Sequence, residues 1–277
     1  IKFCLECLEK SRLSCHDPEF LMLRKRIIFT LIYENEFFNQ SRNFRLQKVG
    51  NLRWLEKNYK FQDIAFSLDE LIILNVSKKD KNMIVFAETL SNLVDDVFIP
   101  IAVGGGIRSM EDAKILFDNG ADKIVLNTIL YTDKDLVENL IKQYGSQSII
   151  ASIDYKKINN INKVYVNGGT EELDIELNEY IKYVEGLNIG EIYLNSIDRD
   201  GTGFGYDFET IDKVSKNMKI PLIIAGGAGN ENHLMEGLER GKIDAVATAN
   251  IFNFIGNGLP NARKKIIGKN LNIARWM

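Results

Sequence analysis

The feature that most constrains this fold is an internal repeat, in which the second half of the chain resembles the first at an offset of about 121 residues. The apolar run Ile99–Gly106 ends in glycines, and Ile220–Gly227 repeats that pattern. Each run is followed by an amphipathic segment and a further apolar run, Asp122–Thr128 in the first half and Asp244–Asn250 in the second. Any fold of this chain must therefore accommodate two related halves.

Each half contains two more apolar runs that match at nearly the same offset. These runs are Arg26–Ile32 and Asp69–Asn75 in the first half, and Gln147–Asp154 and Gly190–Ser196 in the second. Segments with helical periodicity, such as Met110–Asn119 and Asp133–Tyr144, separate the runs. Near-continuous apolar strands that alternate with helices are typical of a parallel sheet covered by helices. The eight strands predict an α/β fold, a closed (β/α)8 TIM barrel built from two half-barrels, over the alternative of an open doubly wound sheet.

The composition agrees with a globular barrel and excludes several classes of partner. Hydrophobic residues make up 45% of the chain, which is enough to bury a core of barrel size. The net charge is −3, so no overall basic field attracts nucleic acid or a membrane surface. The sequence contains neither a bilayer-spanning apolar run nor an opening signal peptide. We therefore expect a cytoplasmic protein without nucleic-acid or membrane partners.

The three cysteines, Cys4, Cys7 and Cys15, all lie near the start of the sequence, so disulfides do not hold the fold together. Together with His16 they match no standard set of zinc ligands, and we expect neither a metal nor a cofactor. Strand-like sequence begins just after Met22. We therefore divide the chain into an N-terminal extension, residues 1–21, and a barrel, residues 22–277. The extension is an accessory segment, a cloning remnant or sequence upstream of the natural start.

Glycine and amide residues end four of the predicted strands. Glycine lets backbone N–H groups approach an anion closely, and the N-terminus of a following helix favours negative charge. Because barrels bind ligands at the carboxyl ends of their strands, this pattern predicts two related phosphate sites spanned by one ligand. The alternative is that the glycines only serve tight turns. The predicted phosphate-binding residues are Gly105, Gly106, Asn127, Thr128, Gly226, Gly227 and Asn250.

Carboxylates at strand ends are candidates for general acid or base chemistry. Asp154 closes an apolar strand and is expected to face the barrel mouth, where its counterpart in the first half is Ile32. Asp198 and Asp200 follow the sixth strand, and we expect at least one of them to cap a loop instead.

Charged residues also begin four of the strands, at the opposite end of the barrel. Two are cations and two are anions, so they either close the base as a salt-bridged ring or remain independent surface charges. A ring would plug or gate the barrel axis. The four residues are Arg26, Glu70, Lys123 and Glu191.

Several stretches carry a family resemblance: Lys25–Ile28, Val103–Ile107, Gly120–Lys123, Ser196–Thr202 and Gly226–Gly229. From about Met22 to its end, the chain resembles the HisF family, the cyclase subunit of imidazole glycerol phosphate synthase. The resemblance implies a HisH-like glutaminase partner that docks on the barrel base and releases ammonia into the axis.

The resemblance also implies roles for individual residues. It makes the four basal charges an ammonia gate and Asp122 a contact with the glutaminase, and it adds Asp200 and Gly201 to the phosphate site. Asp154 matches the second of two catalytic aspartates in the family, but Ile32 replaces the first.

Three further positions bear on the mouth. Asn75 stands where the family usually has an aspartate, and Gln40 replaces a phosphate-binding lysine. Glu34 shares the strand face of Ile32, but it would sit higher in the mouth as a substitute acid.

Three functions are compatible with this pattern. A subgroup of HisF-like proteins, associated with glycosyl amidation in surface-polysaccharide pathways, is the better match, because a kept gate stands beside a damaged catalytic pair. There the barrel delivers ammonia to a downstream enzyme that amidates a sugar. The alternatives are a histidine-pathway cyclase subunit and a non-catalytic scaffold that regulates the glutaminase.

Overall fold

Strands and helices alternate along a computed structural model that describes residues 24–59, 67–78, 82–95, 97–254, 257–269 and 271–274. Its strands are β1 (Arg26–Glu34), β2 (Phe37–Arg42), β3 (Arg45–Gly50), β4 (Glu70–Asn75), β5 (Ile101–Gly104), β6 (Lys123–Leu126), β7 (Ile149–Ile158), β8 (Ile161–Val166), β9 (Glu171–Glu176), β10 (Glu191–Ser196), β11 (Leu222–Ala225) and β12 (Ala245–Thr248). The helices within these ranges are α1 (Leu52–Tyr59), α2 (Met83–Val94), α3 (Met110–Asp118), α4 (Ile129–Thr132), α5 (Lys134–Tyr144), α6 (Leu177–Gly186), α7 (Phe208–Ser215), α8 (Glu231–Leu238) and α9 (Gly258–Gly268).

Eight of the strands form a closed parallel barrel. Around it they run in the order β1, β4, β5, β6, β7, β10, β11 and β12, and β12 pairs with β1 to complete the circle. Helices connect successive barrel strands and cover the outside. The predicted (β/α)8 barrel is confirmed, and closure excludes the open doubly wound sheet.

Alternation along each barrel strand separates an outer core from an inner one. On β1, Ile27 and Phe29 point outward and pack in the cluster shared with the helices, whereas Ile28 points into the barrel. The inner layer is small and apolar. It consists of Ile28, Ile72, Ala102, Val125, Ile150, Tyr193, Ile223, Ala225, Ala245 and Ala247, with Leu74 packed against it.

Two antiparallel hairpins, which the sequence analysis did not predict, rise above the carboxyl ends of the barrel strands. The strands β2 and β3 follow β1, and the strands β8 and β9 follow β7, so each half-barrel carries one hairpin after its first strand. Two-residue turns with positive φ join each hairpin to its barrel strand, at Asn35 (47°) and Glu36 (64°) between β1 and β2, and at Asn159 (48°) and Asn160 (65°) between β7 and β8. The pair Asn159–Asn160 is the sequence signal that could have revealed the turn from β7 into β8, the first strand of the second hairpin.

The predicted extension, residues 1–21, lies outside the described residues, as do Cys4, Cys7, Cys15 and His16. Within the described ranges, the helices are all too short or too polar to cross a membrane.

Candidate active site

The carboxyl ends of the barrel strands surround a cavity of about 740 Å³, which we call the mouth cavity. All ten residues that the sequence assigned to catalysis or phosphate binding line it, so the fold brings them together as expected. Their individual roles stay predictions. These residues are Gly105, Gly106, Asn127, Thr128, Asp154, Asp200, Gly201, Gly226, Gly227 and Asn250.

Asp154 lies on β7 between two asparagines of the neighbouring strands. Asn195 on β10 donates from Nδ2 to Oδ1 of Asp154 at 3.0 Å, and Asn127 after β6 donates to Oδ2 at 3.1 Å. The aspartate is only 8% exposed. Burial raises the pKa of Asp154 to about 7, although the two amide donors lower it. A carboxyl group with a pKa near neutrality can both take and give a proton under physiological conditions.

Ile32 on β1 also lines the mouth cavity and is 8% exposed. It therefore puts an alkyl group at the position that corresponds to Asp154 in the other half-barrel. Glu34 is not among the described residues that line the cavity, so it does not supply a second acid there. Nearer to the barrel base than Ile32, the hydroxyls of Thr30 and Tyr193 lie 3.2 Å apart across the barrel interior.

Asp200 anchors the first hairpin over the mouth. Its Oδ2 accepts hydrogen bonds from Ser41 Oγ at 2.5 Å and from the Phe44 N–H at 3.0 Å. Burial raises the pKa of Asp200, whereas these two donors lower it. Asp198 accepts from the Lys157 N–H at 2.8 Å, so both aspartates cap loops, as expected for at least one of them.

The two hairpins meet above the cavity. A Cβ built on Gly169, in the turn between β8 and β9, would lie 2.5 Å from the ring of Phe44. Gly201 is equally tight, because its Cβ would lie 2.0 Å from the carbonyl oxygen of Ser41. Close packing therefore accounts for glycine at both positions, against the Phe44 ring at Gly169 and against the Ser41 backbone at Gly201.

The four charged residues at the barrel base form a closed ring of ion pairs, which we call the basal ring. Arg26 bonds Glu70 at 2.7 Å and Glu191 at 2.6 Å. Lys123 bonds the same two carboxylates at 3.1 and 2.7 Å. Independent surface charges are thereby excluded, and the ring lies across the axis because its members belong to β1, β4, β6 and β10.

The two carboxylates of the basal ring differ in their proton affinity. Burial raises the pKa of Glu70 despite the opposing effects of Lys123 and Arg26. Burial also acts to raise the pKa of Glu191, but Arg26 and Lys123 outweigh it and the net shift is downward. Glu70 is the more enclosed of the two side chains, at 2% exposure against 8%.

Similarity to known proteins decides the family. The model of the family described as "Histidine biosynthesis protein" matches residues 53–256. A protein of Parasynechococcus marenigrum named "Putative imidazole glycerol phosphate synthase subunit hisF2" is 45% identical over 92% of this chain and 95% of its own length. This chain belongs to the HisF family.

Proteins named "Imidazole glycerol phosphate synthase subunit HisF" are also similar. The one from Chlorobium phaeovibrioides is 34% identical over 91% of this chain and 99% of its own length. The one from Pyrobaculum aerophilum is 42% identical over 67% of this chain and 73% of its own length.

Asp122, the predicted partner contact of this HisF-family chain, lies beside the basal ring. Its Oδ2 accepts from the Ile101 N–H at 2.8 Å, and Asp69 and Asp244 accept from Ile27 and Leu222 in the same way. Of the three aspartates, Asp122 alone is exposed, so its second oxygen is open to solvent at the base. The contact with a partner stays a prediction.

Sequence reasoning missed Asn195 as a member of the site. Asn195 touches Asp154 directly and lies on the adjacent strand. Its position next to the end of the predicted strand Gly190–Ser196 was the available signal, the same kind of signal that selected the strand-end amide Asn127.

Proposed function

We propose that this chain is the barrel subunit of a glutamine amidotransferase. In this proposal a HisH-like glutaminase docks on the barrel base, and ammonia passes along the axis to the mouth cavity. The observation that carries the proposal is the basal ring, which lies on the same axis as the cavity that holds Asp154. The names of the HisF relatives support it, because they describe those proteins as subunits.

The barrel interior suits the passage of neutral ammonia. Between the basal ring and the mouth lies the inner layer, which includes Ile28, Ile150 and several alanines. Neutral ammonia loses little hydration free energy when it enters an apolar layer, whereas an unpaired ammonium ion would lose its hydration at a large cost. The two positive and two negative charges of the basal ring balance. The ring can then close off the interior of the barrel axis from the base.

At the mouth, the ammonia meets Asp154, the one residue of the family's catalytic aspartate pair that this chain retains. Asp154 can exchange a proton with a bound ligand near neutral pH. Ile32 cannot, so the position of the first catalytic aspartate of the family carries no acid. We infer that the ammonia amidates a phosphorylated sugar-like ligand, or is handed to a downstream amidotransferase that forms the acetamidino sugar of a surface polysaccharide.

The first test is stimulation of the glutaminase, and Asp122 supplies the diagnostic variant. Asp122→Asn keeps an oxygen that can accept from the Ile101 N–H and removes only the exposed charge. We expect the chain to stimulate the HisH-type glutaminase of its own organism, and Asp122→Asn to weaken the complex about tenfold. Glutamate release is measured against barrel concentration.

Asp174→Asn is the matched control, because Asp174 is exposed on β9, in the second hairpin above the mouth and therefore at the opposite end of the barrel from the basal ring. It should leave the concentration dependence unchanged. If the unmodified chain failed to stimulate the glutaminase at all, the proposed function would be wrong.

A second candidate function is that of an imidazole glycerol phosphate synthase cyclase subunit. The names of the relatives favour it, and so does the retained Asp154 with its pKa of about 7. The absence of an acid at Ile32 speaks against it, because positioned acid–base help contributes about 10²–10⁴ in rate.

Cyclase turnover with ammonium salt in place of a partner distinguishes the two functions. The substrate is the bisphosphate aminoimidazole-type ribulosyl nucleotide of the family. We expect turnover at least about 100-fold below that of a family cyclase, with partial rescue by Ile32→Asp. Ile32→Asn, which has the same size but transfers no proton, should not rescue it. Turnover within about tenfold of a family cyclase would favour the second function.

A further inference from the structure

The hydroxyl groups of Thr30 and Tyr193 face each other across the barrel axis. Their oxygens lie 3.2 Å apart. Thr30 belongs to β1 and Tyr193 to β10, and these strands stand three places apart around the circle of eight. The contact therefore spans the barrel interior instead of joining neighbouring strands.

The position of this hydroxyl pair along the axis follows from the alternation of the strand residues. On β10, Tyr193 stands midway between Glu191 of the basal ring and Asn195 at the mouth. Asn195 in turn bonds Asp154. Thr30 and Tyr193 both line the mouth cavity, at its end nearer the base. A molecule that moves along the axis from the basal ring to Asp154 therefore meets the hydroxyl pair on its way.

Small residues make room for the tyrosine ring inside the barrel. The strands between β10 and β1 are β11 and β12, and three of their four residues in the inner layer are alanines, Ala225, Ala245 and Ala247. Tyr193 belongs to the same buried cluster and is only 4% exposed. The ring therefore fills space that larger side chains would occupy, and its hydroxyl is held inside the barrel.

The two hydroxyls have more hydrogen-bonding capacity than they use on each other. Within the described part of the chain, neither forms a hydrogen bond to any other group. Each hydroxyl carries one hydrogen, and only one of the two hydrogens can lie between the oxygens. The second hydrogen is therefore available to a small guest, since a buried polar group gains free energy from a partner.

The existing bond between the hydroxyls is easily exchanged. Its length of 3.2 Å exceeds the value of about 2.7–2.8 Å that is typical of O–H···O bonds. Burial raises the pKa of Tyr193, although the hydrogen bond with Thr30 lowers it, so the phenol keeps its proton and stays a donor. A guest at this position must accept one hydrogen bond and donate another.

Neutral ammonia meets this requirement, and the ammonium ion does not. The lone pair of ammonia accepts a hydroxyl hydrogen, and its N–H bonds donate to a hydroxyl oxygen. Ammonium has no lone pair and cannot accept. Its charge would also lose hydration among the apolar side chains of the inner layer, at a large cost.

We propose that Thr30 and Tyr193 form a binding site for neutral ammonia on the barrel axis, between the basal ring and Asp154. The ammonia replaces the bond between the two hydroxyls, accepting from one and donating to the other. The site holds ammonia one step before Asp154 and discriminates against ammonium. The inference rests on the proposed function in taking the barrel axis as the route of the ammonia.

The test observes the hydroxyl pair directly, by carbon NMR of the full chain labelled at Cζ of its tyrosines. The spectrum of Tyr193→Phe lacks one signal and thereby assigns Tyr193. We expect ammonium chloride to shift this signal in a saturable manner, and potassium chloride to leave it unchanged. Titrations at pH 8 and pH 9 both lie above the pKa of about 7 of Asp154. Half-saturation should need severalfold less total ammonium at pH 9, where more of it is neutral.

Thr30→Val keeps the shape of the side chain and removes its hydroxyl. It should raise the half-saturating concentration of ammonia about fivefold, which corresponds to the loss of one hydrogen bond. Thr30→Ser restores a hydroxyl and should stay within about twofold of the unmodified chain.

Thr248→Val is the matched control, because Thr248 is a buried threonine of a barrel strand whose hydroxyl already donates to the Ala228 carbonyl at 3.1 Å. It should leave the ammonia response unchanged, and thermal unfolding verifies that each variant is folded. The inference is wrong if ammonia does not shift the Tyr193 signal, as for a pair that binds only water. It is also wrong if the shift follows total ammonium at both pH values, or if Thr30→Val responds like Thr248→Val.

Ammonia released by the glutaminase separates this inference from the proposed function. The complex receives glutamine while an ammonia-consuming enzyme keeps the surrounding solution free of ammonia. A shift of the Tyr193 signal during glutamine hydrolysis supports both. A shift with ammonium chloride but none during hydrolysis supports the ammonia site and overturns delivery along the axis. Stimulated hydrolysis without a shift from either source overturns the ammonia site and leaves the glutaminase partnership standing.

Discussion

Asp69→Ala is expected to destabilise the chain by about 3–5 kcal/mol, which is the largest loss that we expect from a single substitution. Asp69 precedes β4, and its carboxylate bonds Arg263 of α9 through both oxygens, at 2.9 and 3.0 Å. The side chains of Arg263 and Asp69 are 4% and 7% exposed. Removing the carboxylate takes away both charge-assisted hydrogen bonds that Asp69 accepts from the buried Arg263 guanidinium, and it also removes the acceptor of the Ile27 N–H, which lies 2.8 Å from Asp69 Oδ2.

Asp122→Ala is the matched control for this prediction. Asp122 accepts the equivalent strand N–H, from Ile101, but it is exposed and has no ion pair with a described residue. Its loss should cost about 1 kcal/mol, the usual value of one hydrogen bond. Urea unfolding at pH 7 measures both variants. Equal losses of unfolding free energy in the two variants would show that the contact with Arg263 adds nothing to the hydrogen bond from the strand N–H, which both aspartates accept.

The barrel itself was predictable from sequence because its strands are buried on both faces. Such strands read as continuous apolar runs, and Ile101–Gly104 and Leu222–Ala225 are fully buried in the structure. The repeat then fixed their number and their order around the circle. The positions of Arg26 and Glu70 also followed, since both begin barrel strands and share the inward face of their strands.

The hairpins and their contacts were not predictable in this way. The strand β3 has no buried residue, and three of its six residues are both exposed and polar, so its alternation carries no clear signal. Asp200 was assigned to phosphate from its motif, yet the structure bonds it to Ser41, which lies 159 residues away in the sequence. No local pattern encodes a contact between two loops that the barrel brings together.

The basal ring was also only partly predictable from the sequence. The sequence placed four charges at strand starts but left a ring and independent charges as equal possibilities. Only closure of the barrel brings Lys123 within 2.7 Å of Glu191, which belongs to a strand two places away around the circle. The distances across the barrel axis decide between a ring and independent charges, and the sequence pattern does not contain those distances.

Replacement of Asp154 by asparagine should stabilise the chain at pH 8. The ionised carboxylate is buried, and burial raises its pKa to about 7 from an ordinary value near 3.8. A difference of about three pKa units corresponds to about 4 kcal/mol as an upper value. We expect about 2–4 kcal/mol of added stability from Asp154→Asn, because asparagine carries no charge to desolvate.

The neighbours of Asp154 can accommodate the amide that this substitution introduces. Asn127 is fixed, since its Nδ2 also donates to the Ser152 carbonyl at 3.0 Å, and it will donate to the new amide oxygen. The other neighbour, Asn195, can turn its amide so that its oxygen accepts from the new Nδ2. Neither donor is then left facing another donor.

The stability gained by Asp154→Asn is expected to increase with pH. A raised pKa means that the folded chain binds this proton more tightly than the unfolded chain, so protonation favours folding. The penalty from Asp154 is therefore absent below about pH 4, grows between about pH 4 and 7, and stays constant above that. The advantage of Asp154→Asn, measured by urea unfolding, should grow across the same interval.

Asp133→Asn is the control, because Asp133 is an exposed N-cap of α5 and asparagine caps a helix equally well. An advantage of Asp154→Asn that is equal at pH 4 and pH 8 would mean that the carboxylate is not held at a raised pKa, and Asp154 would then be a fully ionised group at the mouth instead of a proton carrier.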